Sequence, residues 1–162
     1  MIREIDDNLL TKLENLLINT PTVERDKMTK TSKIVNDYAV NDATIQIVKF
    51  YPVDNNELNK LLSHIINIDS NTPLTIHDVT YTVGGMAPYH KDKDSHETYV
   101  IMLEDNFEGG DFYLNGELTN FKKRGQIIKY VGCHEPHSVS TITRGRRRVL
   151  VMWYTKPPSS LI

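Results

Sequence analysis

Eight consecutive residues, Arg147-Arg-Val-Leu-Val-Met-Trp-Tyr154, constrain this chain more than any other stretch. On an extended backbone successive side chains alternate between faces. Val149, Val151 and Trp153 therefore share one face, and Leu150, Met152 and Tyr154 the other. A strand apolar on both faces needs cover on both. A barrel interior can cover one and helices the other.

The preceding sequence offers material for both layers. From Pro73 on, short β-rich runs alternate with turn signals: Leu74–Val83, Tyr99–Leu103, Asp111–Leu114, Gly125–Val131, Ser138–Ile142 and Arg147–Tyr154. That rhythm predicts a β-sandwich or jelly roll. Two helices are expected ahead of it. Leu9, Leu10, Leu13, Leu16 and Leu17 recur at helical spacing over residues 6–18, with Asp6 or Asp7 as N-cap. Asp54 and Glu57 read as a capping box for a second helix, buried through Leu58, Leu61, Leu62, Ile65 and Ile68. Between the helices, Thr20–Asn41 is polar and reads as a long loop, a lid candidate. Ala43–Tyr51 reads as a strand closed by Pro52.

At 162 residues the chain is expected to form one domain, 1–162. Residues 1–72 would be helical support and lid, and 73–156 the β core. A net charge of −2 gives no global pull toward nucleic acid or anionic membrane. No apolar run approaches the roughly 20 residues that span a bilayer. The opening MIREIDDNLL is acidic and amphipathic, so no secretory leader is expected. The single cysteine, Cys133, excludes an internal disulfide, and a cytoplasmic setting is expected. The sequence sets no oligomeric state.

The chemistry is carried by His90-Lys-Asp92, by His137 on a later run, and by Arg147 ten residues beyond it. A spacing of two on extended chain sends His90 and Asp92 to one face. Two imidazoles and one carboxylate on one side of an iron leave adjacent positions open, as in non-haem Fe(II) oxygenases. Two positions would take a 2-oxo acid and one O2. The far carboxylate of that acid needs a planar bidentate cation, which arginine provides. Parity places Arg147 with Val149, Val151 and Trp153, while Arg146 and Arg148 point the other way.

Other residues take blander readings. His134 competes with His137 as distal ligand, but His137 begins an extended run. His64 and His77 read as structural or surface residues. His96, in the loop after Asp92, reads as solvated loop or substrate contact. Cys133 reads as a small hydrophobe. Arg144-Gly-Arg-Arg-Arg148 is a basic run without aromatic interleaving, so a nucleic-acid partner is not expected.

From about Thr80 to Tyr154 the chain resembles the 2-oxoglutarate- and Fe(II)-dependent dioxygenases, in their prolyl-4-hydroxylase-like branch. The resemblance rests on Tyr81-x-x-Gly84, His90-Lys-Asp92 and Glu97-Thr-Tyr-Val-Ile-Met-Leu-Glu-Asp105. It continues through Gly109-Gly110-Asp-Phe-Tyr-Leu, Gly125-Gln-Ile-Ile-Lys-Tyr and the run from His137 to Arg147, followed by Trp153-Tyr154. It implies a mostly β fold: a double-stranded β-helix (cupin-like jelly roll) with N-terminal helices on the outer face of the major sheet. It implies His90, Asp92 and His137 as iron ligands, Arg147 as the 2-oxoglutarate clamp, and Tyr81 and Thr98 near the same carboxylate. Trp153 and Tyr89 would touch substrate. The implied cofactors are Fe(II), 2-oxoglutarate and O2, with ascorbate as reductant. The implied reaction hydroxylates a peptidyl side chain, with proline favoured by Trp153, and releases succinate and CO2. Ala87 and Ser95 depart from the tyrosine and arginine that such prolyl hydroxylases commonly carry. Two alternatives stay open: a hydroxylase of a free amino acid or other small molecule, and a non-catalytic metal-binding cupin-like module.

Overall fold

The computed structural model describes residues 2–23, 46–52, 55–93 and 95–154. The order is β1 (Ile2–Glu4), α1 (Asp7–Asn19), β2 (Gln46–Phe50), α2 (Asn56–Ile66), β3 (Thr75–Tyr81) and β4 (Ala87–His90). Then come β5 (Glu97–Glu104), β6 (Phe107–Gly109), β7 (Phe112–Leu114), β8 (Glu117–Leu118), β9 (Gln126–Val131), β10 (His137–Val139), β11 (Ile142–Gly145) and β12 (Arg147–Trp153).

Six strands form a major sheet in the order β1-β9-β5-β12-β3-β2, and four form a minor sheet, β4-β10-β7-β8. A two-stranded ribbon joins β11 to β6. This is the mostly β, jelly-roll architecture expected. As the sequence demands, β12 is covered twice. Leu150, Met152 and Tyr154 pack with Leu10, Leu13 and Leu17 of α1 and Leu58, Leu62 and Ile65 of α2. Val149 packs between the sheets with Val79, Val100, Met102, Phe112 and Ile128. Lateral pairing to β3 and β5 satisfies the backbone of β12 on both edges.

The helices begin where side-chain acceptors meet unpaired amides. Asp6 caps α1 by accepting from Asn8 N at 2.9 Å. The cap of α2 is Asn55, whose Oδ1 accepts from Leu58 N at 2.9 Å, and not Asp54 as the sequence pattern suggested. Asp54 itself lies outside the described residues. The helix stops at Ile66 because Asn67 turns left-handed, so Ile68 packs from the loop. Asn59 adds a buried polar tie: its side chain donates to Ser70 O and Thr72 O and accepts from Leu74 N, fixing the path into β3.

Two departures from the expected strands concern the site. The run Ser138–Ile142 is not one strand. Its residues pass from the minor sheet (β10) to the ribbon (β11), with a register shift beside His137 and Val139. Gly145, at φ 79°, permits that ribbon, since a Cβ there would meet Asn106 O at 2.1 Å. Moreover β1, in a stretch not read as strand, joins the major sheet at one edge, while the expected strand within Ala43–Tyr51 joins the other edge as β2. The expected lid, Thr20–Asn41, lies outside the described residues from position 24 on.

Candidate metal centre

Register builds the site. In the antiparallel pair β4–β10, His137 stands directly opposite His90. Facing residues of such a pair hold their Cβ atoms within about 5.5 Å, and the two imidazole centroids are 4.4 Å apart. Asp92 follows two residues after β4 ends, and its N–H donates to Gly132 O at 2.9 Å, which turns it back toward the histidines. Asp92 Oδ1 lies 3.2 Å from His90 Nε2, and Oδ2 lies 3.1 Å from His137 Nε2. One ligand atom from each of the three lies within 4.8 Å of the others.

The donor set fits a divalent cation. His90 Nδ1 lies 2.6 Å from Pro88 O, and His137 Nδ1 lies 2.9 Å from Glu135 O. A carbonyl oxygen only accepts, so each Nδ1 carries a proton, which leaves Nε2 as the ring atom able to give a lone pair to a cation. That outer tie fixes tautomer and ring angle in metal-binding histidines. Burial would raise the Asp92 pKa, but hydrogen bonds from His137 and His90 hold it well below the ordinary carboxylate range. Burial lowers the His90 pKa, and the Asp92 carboxylate more than offsets it, so the imidazole is raised.

A cavity of about 80 Å³ opens between the sheets from this cluster. Its walls include Val79, Val100, Val149 and Val151, with Tyr81 and Arg147 on the same lining. Arg147 is 1% exposed, and its Nε has no hydrogen-bond partner among the described residues. Its guanidinium carbon lies 5.0 Å over the Tyr81 ring. Burial lowers its pKa, with Tyr81 and Tyr130 drawing it back up. No carboxylate pairs with it among the described residues, and a buried cation without a counter-ion is costly, so this end of the cavity suits an anion. Arg146 and Arg148 point outward, to Glu104 and to Asp78 with Glu104.

The structure thus brings His90, Asp92, His137, Arg147, Tyr81 and Trp153 to one cavity. Tyr89 is not on that lining; it is 59% exposed on the outer side of β4. Thr98 is buried on β5 beside Asp92 and Gly132, at the opposite end of the sheet face from Arg147. His134 is exposed, His64 lies exposed on α2, and His96 stacks on Tyr154 with ring centroids 6.4 Å apart. Cys133 is a free, half-buried thiol. His77, expected to be structural or at the surface, lines the cavity. It is 2% exposed, edge-on to Trp153 at 4.6 Å and to Phe50 at 5.3 Å. Parity could have found it, because residues 77, 79 and 81 of β3 share a face. Gln46 also lines the cavity, and its amide donates to Met86 O at 2.9 Å, tying β2 to the start of β4. Tyr130, with its ring 4.8 Å from that of His137, is a third lining residue that the sequence did not single out.

The viral collagen prolyl hydroxylase of Paramecium bursaria Chlorella virus 1, solved as a 2OG complex, superposes with a TM-score of 0.62. The identity is 12%, and the match covers 94% of each chain. The chain has the fold of a prolyl hydroxylase. A Pseudomonas putida prolyl 4-hydroxylase matches at TM-score 0.59 and 13% identity, over 98% of this chain and 92% of that one. The prolyl hydroxylase of Trichoplax adhaerens, solved with a hypoxia-inducible-factor oxygen degradation domain peptide, matches at 0.60 and 16%, over 95% and 82%. In sequence, an alignment over 66 positions that covers 36% of this chain is 33% identical to prolyl 3-hydroxylase 3 of Homo sapiens. Prolyl 3-hydroxylase 1 of Rattus norvegicus is 30% identical over 66 residues. The chain spans only 9% of the length of either relative. No family model matches the chain.

Proposed function

We propose that this protein is a 2-oxoglutarate- and Fe(II)-dependent dioxygenase that hydroxylates a peptidyl side chain, with proline the favoured target, releasing succinate and CO2. The observation that carries the reading is one cavity holding the His90–Asp92–His137 cluster together with a fully buried arginine that has no counter-ion among the described residues. A plain metal-binding module has no need of that guanidinium, which weighs against the cupin-like alternative.

His90, Asp92 and His137 would hold Fe(II), which when bound activates O2 and couples 2-oxo acid decarboxylation to C–H hydroxylation. The chain's own groups do the positioning. Pro88 O and Glu135 O keep the two imidazoles in the ligating tautomer. Arg147 pairs with the far carboxylate of 2-oxoglutarate, a bidentate match worth most in a dry site. Val79, Val100, Val149 and Val151 exclude water around the cosubstrate. Trp153 and His77 wall the same cavity, offering aromatic faces to a substrate ring. Holding reactants in this way supplies much of a barrier's reduction. The Trichoplax neighbour binds a peptide, which supports a peptide or protein as partner here. No helix of the described residues is long and apolar enough to cross a membrane.

The test is an anaerobic titration with Fe(II) and 2-oxoglutarate, monitored by the visible metal-to-ligand charge-transfer band. The band is expected with wild type, absent in His137→Ala, and greatly weakened in Arg147→Ala. Iron bound without any band would favour the non-catalytic module instead.

A further inference from the structure

Two buried hydroxyls near the metal ligands, Ser95 Oγ and Thr98 Oγ1, have no hydrogen-bond partner among the described residues. Each residue is 1% exposed. A buried donor without an acceptor costs free energy, so such groups point to a partner present in the working state.

Gly132 locates that partner. A Cβ built on it would lie 2.9 Å from Thr98 Oγ1, 3.0 Å from Asp92 Oδ2 and 3.3 Å from Ser95 Cβ. Backbone hydrogen bonds lace these residues together: Asp92 N to Gly132 O, Gly132 N to His96 O, and Cys133 N to Ser95 O. Thr98 also sits at the far end of the sheet from the arginine. It is opposite Trp153 on β12, whereas Arg147 is opposite Tyr81. Six residue steps along the strand separate Arg147 from Trp153, roughly 20 Å.

Hydrogen-bond accounting at Asp92 changes when a cation arrives. Without one, the carboxylate oxygens face Nε2 of His90 and of His137. With one, both nitrogens give their lone pairs to the metal and can donate nothing to Asp92. One carboxylate oxygen would ligate; the other stays in a mostly buried site beside Gly132 and needs a donor.

We propose that Thr98 is a positioning residue for the metal-ligating carboxylate. Its hydroxyl, with Ser95 alongside, donates to the Asp92 oxygen that the metal leaves free, directly or through one buried water. Thr98 then acts on Asp92 and not on the 2-oxo acid. The inference rests on the reading that His90, Asp92 and His137 hold a metal.

The experiment is a Co(II) titration of metal-free full chain by calorimetry, for wild type, Thr98→Val, Thr98→Ser and Ser95→Ala. Thr98→Val is expected to bind Co(II) about tenfold or more weakly, the usual effect of losing an outer-shell partner. Thr98→Ser should keep the wild-type affinity, and Ser95→Ala should show a smaller loss. Metal-free Thr98→Val should melt no lower than wild type, because an unpartnered buried hydroxyl has been removed. Affinity for 2-oxoglutarate at saturating Co(II) should not change. Wild-type Co(II) affinity in Thr98→Val overturns the proposal, as does weaker 2-oxoglutarate binding with metal affinity intact. A Thr98→Val protein that melts well below wild type makes the residue structural and also overturns it. Wild-type protein that takes up no Co(II) overturns the functional reading as well, which separates the two failures.

Discussion

His77 is held neutral inside the cavity wall: burial pushes its pKa down to about 3, opposed only by the charge of Asp92. An unfolded chain binds a proton there near pH 6.5, while the folded chain resists until far lower pH. The stability from neutral His77 is therefore complete above 6.5 and lost as pH falls toward the folded value. Between roughly pH 6 and pH 4.5 the metal-free protein should lose ~1.4 kcal/mol per pH unit through this residue. Urea unfolding at stepped pH should show that slope in wild type, and His77→Phe should lack it. Equal slopes in the two proteins would mean that His77 takes up a proton without unfolding. The residues that meet in the cavity were legible from His90-Lys-Asp92, His137 and the ten-residue step to Arg147. His77 was not, because one imidazole in an apolar run says nothing of what stands across the cavity until β2 and β12 flank it.

Elements were legible in proportion to how much of their stability is local. Helix α1 carries its cap and leucine stripe within 14 residues, from Asp6 to Asn19, and forms where the pattern predicts. Strands β5 and β12 are long apolar runs and were equally plain. Strand β4 was not read, since Ala-Pro-Tyr-His is short and Pro88 argues against a strand. It forms because β4 is a sheet edge, where a missing N–H is tolerated. Helix α2 shows the limit of pattern at a boundary: two neighbouring capping residues competed, and Asn55 takes the role. Asn55→Ala is expected to cost about 1 kcal/mol, lowering the melting temperature by roughly 2–4 °C for a domain of this size. A calorimetric scan that shows no change would place the cap elsewhere.

Across the whole molecule the cluster joins segments far apart in the chain: β4 and the turn after it supply His90 and Asp92, and β10 supplies His137. A cation that binds only this folded arrangement stabilises it by mass action, by ~2.7 kcal/mol at a hundred times its Kd. Co(II) at that level should raise the melting temperature by roughly 5–11 °C, and excess chelator should reverse the shift. A shift of the same size in His137→Ala would show that the metal binds elsewhere. The alternation of side chains along β12, the helical leucine stripes and the residue types of the cluster are properties of short stretches, and the sequence determined them unaided. Tertiary structure alone decided that His137 stands opposite His90, that Asp92 turns back through Gly132, that His77 and Gln46 wall the cavity, and that Thr98 neighbours Asp92. The physical reason is that these placements depend on strand register and sheet curvature. Both are set by packing over the whole core, and no local propensity encodes them.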